Sequence, residues 1–317
     1  MDTVLVTGGA GFIGSNIAES LIEGGRKAVV LDDLSTGRME NIRGLEGNPN
    51  FVFIQGSILD SELLRKVIRE HGVNLISHQA ARPSVAKSVK DPVKTTEINV
   101  TGTVNLFQAA SECGIKRVVF ASSSSVYGDT PQLPKVETMP FSPKSPYAVS
   151  KAAKEMYANA FTGLYGMEII GLRYFNVYGR RQDPASDYAA VIPKFISKAL
   201  RNEPIPIEGD GGQTRDFTYI DDVVAANINA LTTGGLGTMA VNIAFGSRIS
   251  VLELARAIKE IIGSSSEITH KAPRPGDVRD SLADISKARK HIGYAPQHDI
   301  ASGLKKTVDW FSVALKP

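Results

Sequence analysis

The sequence predicts an α/β chain built on a doubly wound, parallel, Rossmann-type sheet, with a smaller mixed α/β lobe attached. Three observations lead there. Apolar, strand-like runs alternate with helix-like stretches through the first half of the chain. The first run, Val4-Leu5-Val6, opens directly into Thr7-Gly8-Gly9-Ala10-Gly11-Phe12-Ile13-Gly14. The second run, Lys27-Ala28-Val29-Val30-Leu31, ends in Asp32, eighteen residues after Gly14.

The elements follow in order. Strands are expected at 3–7, 27–32, 51–55, 74–78, 117–121 and 168–173. A helix from Ile13 to about Glu23 stops at Gly24-Gly25, and another begins near Ser61 and ends before Gly72. Asp91-Pro92 supplies a cap and a first-turn proline for a helix that runs to Cys113, and Ser145-Pro146 does the same for one ending near Gly166. The rhythm breaks after Arg173. Residues 174–220 are rich in Gly, Pro, Asp and Arg, with one helix signal at about 189–201. Asp221 is expected to cap a helix from Val223 to Leu231, and Met239–Ile243 reads as a strand; both can return to the main sheet. A helix at Val251–Ile262, a short strand near 267–271 and a terminal amphipathic helix to about Trp310-Phe311 complete the chain. Residues 1–173, with 221–243, therefore read as a dinucleotide-binding domain. Residues 174–317 read as a substrate lobe roofing the C-terminal edge of the sheet, where open α/β folds bind ligands.

The glycine-rich turn has a physical reading. Gly8 permits a tight turn, Gly11 lets backbone N–H groups approach a pyrophosphate, and Gly14 lets the helix pack on the strand, with Phe12 and Ile13 opening the helix. The helix N-terminus adds partial positive charge. Taken alone, the glycine spacing also fits an ordinary turn. Asp32 tips the balance, because a carboxylate there accepts ribose hydroxyls and repels a 2′-phosphate. Asp33 strengthens that rejection and Arg38 opposes it, so NAD is favoured over NADP.

Composition excludes several classes. The chain has 317 residues, 42% apolar and 22% charged, with a net charge of +3 and no Lys/Arg run, so nucleic-acid binding has no support. No apolar stretch reaches membrane-span length, and the first strand starts too early to leave room for a signal peptide. The single Cys113 allows no internal disulfide and suits a reducing, cytoplasmic setting. The five histidines show no ligand spacing, so no metal is expected.

Tyr147 and Lys151 stand four residues apart, on one helix face. A nearby ammonium, a cationic nicotinamide and the positive end of the helix dipole are each expected to lower the phenol pKa and make Tyr147 a base. Such a pair is also common on surfaces. The run Ala121-Ser122-Ser123-Ser124-Ser125-Val126-Tyr127-Gly128, following the strand 117–121, brings hydroxyls to the same sheet edge and favours the chemical reading.

Together with Asp32-Asp33-Leu34-Ser35-Thr36-Gly37, Asn99–Thr103, Arg173-Tyr174-Phe175-Asn176, Arg215-Asp216-Phe217 and Ala272–Asp277, these motifs resemble the extended short-chain dehydrogenases/reductases, and most closely the UDP-glucose (UDP-galactose) 4-epimerases, over nearly the whole chain. The resemblance implies catalytic roles for Ser123, Tyr147 and Lys151. It implies NAD contacts from Gly8, Gly11, Phe12, Ile13, Gly14, Asp32, Asp33, Ser35, Thr36, Gly37, Ser57, Ile58, Gln79, Ala80, Ala81, Asn99, Ser122, Tyr147, Lys151 and Tyr174. It implies UDP-sugar contacts from Ser84, Ser123, Tyr147, Asn176, Ala190, Val191, Arg215, Arg274, Asp277 and Ser281, the last bordering the sugar's 2-substituent. Arginine forks at 215 and 274 suit a diphosphate. Two positions depart from the family pattern: Ser57 replaces an adenine-contacting aspartate, and Pro83 stands where some epimerases carry a cofactor-contacting lysine.

The related 4,6-dehydratases carry an Asp-Glu pair in the serine loop, and decarboxylases a glutamate; here Ser124 and Ser125 stand there. The implied reaction is therefore C4 epimerisation of a UDP-hexose through a transient 4-keto sugar, on glucose/galactose, with small Ser281 extending the expectation to their N-acetylated forms. An epimerase of another sugar such as UDP-glucuronate, and a non-catalytic NAD-binding regulator, are the alternatives. The family also implies a homodimer packed through helices at about 93–113 and 147–165, with Val104, Phe107, Met156 and Phe161 as candidate contacts.

Overall fold

Residues 2–184, 191–272 and 279–315 are described by the structure, a computed structural model. Six strands alternate with helices in the first half: β1 Thr3–Thr7, β2 Lys27–Asp32, β3 Phe51–Gln55, β4 Leu75–His78, β5 Arg117–Ser123 and β6 Glu168–Tyr174. A further strand, Thr238–Ile243, pairs with β6. The seven form one sheet in the order Thr238–Ile243, β6, β5, β4, β1, β2, β3. Every pairing is parallel. The chain winds outward from β1 through β2 and β3, then returns to β4 and winds the other way. The C-terminal ends of β1 and β4 thus flank the switch point, where a crevice must open.

The strands are apolar because both faces are covered. In β1, Val4 and Val6 join the core under one helical layer while Leu5 joins the other; β5 splits likewise, with Val119 on the first face and Val118 and Phe120 on the second. The layers comprise α1 Phe12–Glu23 and α8 Ile220–Thr232 on one face, and α2 Ser61–Glu70, α5 Gly102–Glu112 and α6 Pro146–Tyr165 on the other. Asp60 caps α2 through the Leu63 N–H, and Ser145 caps α6 through the Ala148 N–H. The helix expected from Pro92 is continuous but not uniform: α4 Pro92–Thr96 passes through a π-helical turn, Glu97–Thr101, into α5.

Several expectations are corrected. Asp221 does not cap α8. The N-cap is Tyr219, without a side-chain bond, and Asp221 sits in the first turn, ion-paired with Arg180. Phe107 is unavailable to a dimer partner, because it is fully buried edge-on against Phe120 and Phe161. The strand expected near 267–271 is Ile268–Lys271, and it pairs in parallel with Ile205–Glu208. That partner, α3 Val85–Lys90 and α10 Ser286–Ile292 are additions to the sequence reading. The remaining helices are α7 Val191–Leu200, α9 Val251–Ile262 and α11 Ile300–Ala314. Among the described residues, no helix is long and apolar enough to cross a membrane.

Candidate active site

The glycine turn is tight for the reasons its spacing implies. Gly8 has φ +69°, and a Cβ there would lie 2.6 Å from the Ala80 backbone nitrogen. A Cβ on Gly14 would come within 2.2 Å of the Gly8 carbonyl oxygen. A side chain at Gly8 would push the turn off the Gln79–Ala80 loop, and one at Gly14 would push α1 off the turn. Gly11 is the N-cap of α1, with no side-chain cap and no acidic residue in the first turn, so its N-terminal donors are open to an anion.

Asp32, at the end of β2, accepts hydrogen bonds from the Ala10 and Leu34 N–H groups, each at 2.9 Å. Each carboxylate oxygen retains lone-pair capacity for a hydroxyl. Burial raises its pKa against these two bonds. Asp33 receives the Ser35 N–H and hydroxyl at 2.9 and 2.5 Å. Arg38, the residue that argued for a 2′-phosphate, is bound to Asp183 at 2.6 Å.

A cavity of about 1010 Å³ runs along the C-terminal edge of the sheet. It is lined by the glycine turn, Asp32, Asp33, Ser35, Thr36, Ser57, Ile58, Gln79, Ala80, Ala81, Ser122, Ser123, Tyr147, Lys151, Tyr174 and Asn176, all expected from the sequence. Two expected cofactor residues lie behind this surface. Gly37 is placed so that a Cβ would meet Asp32 Oδ1 at 2.6 Å, which lets the loop fold over that carboxylate. Asn99 is buried in the π-helical turn. Its amide is spent on the Arg82 N–H (2.7 Å), the Arg82 carbonyl (3.3 Å) and Ser150 Oγ (3.0 Å). It clamps the loop after β4 and does not touch the cavity.

Ser123, Tyr147 and Lys151 all line the cavity. Ser123 ends β5, and Tyr147 is the second residue of α6 after the Ser145 cap. The Tyr147 phenol is hydrogen-bonded to Ser123, which pulls its pKa down, but burial outweighs this and raises it. Here the expectation of a phenol acidified by its lysine is corrected. The Lys151 ammonium donates to the Ala121 carbonyl at 2.8 Å and lies 5.5 Å from the tyrosine ring centroid. Burial brings Lys151 itself down to about 8. The protein thus supplies a phenol and an amine in one dry corner, and desolvation, not the ammonium, dominates both.

Ser122 donates to Glu155 at 2.5 Å, and Glu155 holds Arg173 through two nitrogens at 2.7 and 2.9 Å. This buried pair braces the serine loop from below. Tyr174 reaches Gln79 and Asn227, and burial raises its pKa, so it is a donor and not a base.

The expected UDP-sugar contacts divide. Asn176 lines the cavity, with φ +35°, and donates to the Asp216 carbonyl at 2.8 Å and Ser281 Oγ at 3.2 Å. Ser281 thus sits behind Asn176, outside the lining. Ser84, Val191 and Arg215 also lie outside it; Ser84 caps α3, and Arg215 donates to the Thr214 and Arg279 carbonyls. Ala190, Arg274 and Asp277 fall outside the described residues. The sequence reading missed a net cationic wall of Arg82, Lys87, Lys90 and Lys94, contributed by α3, α4 and the loop before them, in which Arg82 is ion-paired with Asp91 and Lys94 with Glu97. Basic residues at 87, 90 and 94 were the available signal.

The residues fit NAD. The unshielded α1 terminus suits a pyrophosphate, Asp32 a ribose diol, and the cavity is long enough to reach from there to Tyr147. Comparison with known proteins agrees. The NAD dependent epimerase/dehydratase family profile matches residues 4–244. A putative UDP-glucose 4-epimerase from Methanocaldococcus jannaschii is 44% identical over 308 residues, 97% of each chain. The UDP-glucose 4-epimerase of Thermotoga maritima, solved with UDP-glucose, superposes with a TM-score of 0.94 at 39% identity, covering 99% of this chain and 100% of its own. A UDP-N-acetylglucosamine 4-epimerase from Methanobrevibacter ruminantium, solved with UDP-N-acetylmuramic acid, gives 0.93 at 39% identity, covering 99% of each chain. The chain is therefore an NAD-using enzyme of the extended short-chain dehydrogenase/reductase class and belongs to the NAD dependent epimerase/dehydratase family.

Proposed function

We propose that this enzyme inverts C4 of a UDP-hexose, interconverting UDP-glucose and UDP-galactose. The observation that carries the reading is one cavity holding Ser123, Tyr147 and Lys151 beside a glycine turn, with no carboxylate from the serine loop in its lining. The lining carboxylates are Asp32, Asp33 and Asp91, from β2, its following loop and the α4 cap. A dehydratase needs an acid and a base beside the sugar; Ser124 and Ser125 offer neither.

NAD, when bound, supplies the reversible oxidation at C4 and a positive charge that favours phenolate. Tyr147 takes the O4 proton and later returns it, and Ser123 orients O4 against the phenol. Lys151 holds the helix-side wall through its bond to Ala121. Asn176 stands at the substrate end, fixed from behind by Ser281 and Asp216, and the cationic wall at 82–94 favours bound anions. The 4-keto sugar turns about its diphosphate link and presents its other face to the same phenol. Lobe 174–317 is proposed as the nucleotide-sugar holder, with Arg215, Arg274 and Asp277 as contacts.

A second substrate pair, UDP-GlcNAc and UDP-GalNAc, is favoured by the likeness to the UDP-N-acetylglucosamine 4-epimerase; Ser281, behind Asn176 and outside the cavity lining, gives it no direct support. UDP-sugars assayed singly, with C4 inversion read by NMR, test both. Turnover of UDP-glucose supports the proposal, and turnover of UDP-glucuronate alone overturns it. We also propose a cytoplasmic homodimer, joined through an exposed apolar face on α3, α4 and α6. Val93 is 78% exposed, Leu164 74% and Met156 58%, apolar side chains that such a partner would cover.

A further inference from the structure

One buried charge-bearing group has no part in the chemistry above. Lys154 lies one helical turn beyond Lys151 on α6 and is 1% exposed. Among the described residues no ion pair holds it. The neighbouring Glu155 carboxylate is turned to Arg173 and Ser122. The Lys154 amine instead reaches His78 Nε2 at 3.2 Å and the Ala80 carbonyl at 3.4 Å. His78 ends β4, is fully buried, and places Nδ1 2.7 Å from Thr7 Oγ1, the residue before the glycine turn. Lys154 therefore starts a hydrogen-bonded chain from the helix that carries Tyr147 to the turn that grips the cofactor.

Counting hydrogens orders this chain. Besides Lys154, His78 Nε2 faces Thr103 Oγ1 at 2.9 Å. The single Thr103 hydroxyl hydrogen is committed to the Asn99 carbonyl at 2.6 Å. Thr103 therefore cannot donate to the imidazole, and an unprotonated Nε2 has one donor in reach, the Lys154 amine. If Lys154 donates, Nδ1 carries the ring hydrogen and gives it to Thr7 Oγ1. Were Lys154 apolar, Nε2 would carry the hydrogen toward Thr103, and Thr7 would have to turn its hydroxyl back toward Nδ1. The imidazole is kept neutral by burial and by the two lysines, so two tautomers are the choice it has.

We propose that Lys154 is a positioning residue that sets His78 as its Nδ1–H tautomer, and through His78 and Ala80 fixes the glycine turn and the Gln79–Ala81 loop against the Tyr147 helix. The proposal rests on the cavity being the NAD site, but the tautomer can be read without turnover. An ammonium at Lys154 can only donate to Nε2, whereas a neutral amine could also accept from Nε2–H, so the ring tautomer itself is what the test reads. The groups facing the amine are His78 from β4, the Ala80 carbonyl from the loop after it, and Lys151 on its own helix.

The test is 15N NMR of the histidine rings in the NAD-loaded enzyme, with His78 assigned by its loss in His78→Asn. In the native protein His78 is expected as Nδ1–H. In Lys154→Met, close in length and without a donor, it is expected to become Nε2–H, and NAD is expected to dissociate about ten-fold faster or more, the usual scale for removing a partner that orients a ligand-holding group. A native His78 protonated on Nε2 overturns the proposal, whether or not the variant folds. So does a Lys154→Met enzyme with unchanged tautomer or unchanged NAD release. If these results come out as expected in a protein that inverts no UDP-sugar, the functional reading falls and this one stands.

Discussion

Replacing Lys151 with methionine should make the NAD-free protein more stable and the enzyme inactive. Lys151 is 3% exposed, and burial lowers its pKa from 10.5 to about 8. The folded value lies below the unfolded one, so the stability this group contributes is complete above 10.5 and is lost as pH falls through about 8. At neutral pH the difference costs the folded state about 3 kcal/mol, at about 1.4 kcal/mol per pH unit. The bond to the Ala121 carbonyl returns about 1 kcal/mol of this. Lys151→Met should then gain about 2 kcal/mol at pH near 7, a rise of about 0.7 M or less in urea midpoint for a chain of this size. Near pH 10 the cost shrinks to less than about 1 kcal/mol, and the gain should vanish. Urea unfolding of both NAD-free proteins at the two pH values measures this. A variant less stable at neutral pH, or one with the same gain at both, would refute the view that desolvation dominates this corner.

Other outcomes follow from the same geometry. Tyr147→Phe should lower kcat by about 10²–10⁴ while leaving NAD retention unchanged and costing no more than about 1 kcal/mol of stability for the lost bond to Ser123. Gly14→Ala should weaken NAD binding by about a hundred-fold or more, measured by calorimetry, because its Cβ would meet the Gly8 carbonyl at 2.2 Å and displace the turn. Leu164→Glu combined with Met156→Lys should convert a dimer to a monomer in analytical ultracentrifugation; an unchanged sedimentation coefficient would place the interface elsewhere.

Much of this was legible in the residues because local rules and global fold agree. The glycines, the Asp91-Pro92 and Ser145-Pro146 starts and the Asp32 strand end each have one cheap conformation, and the sheet uses it. What escaped depended on long-range packing. Asp221 looks like a cap, but Arg180, forty-one residues earlier in sequence, claims its carboxylate. Strand Ile205–Glu208 is short and has no hairpin partner; it is made a strand by Ile268–Lys271. Asn99 carries a family-typical motif yet spends its amide on the loop behind the cavity. The tyrosine–lysine spacing was visible, whereas the sign of the pKa change was not, because spacing is silent about how dry the pocket is.

The most direct measurement uses UDP-galactose carrying deuterium on C4 of the sugar. The account predicts UDP-glucose with the deuterium retained on C4, because the same hydrogen leaves and returns within one cavity. Conversion with deuterium lost to solvent, or inversion at a different carbon, would contradict it.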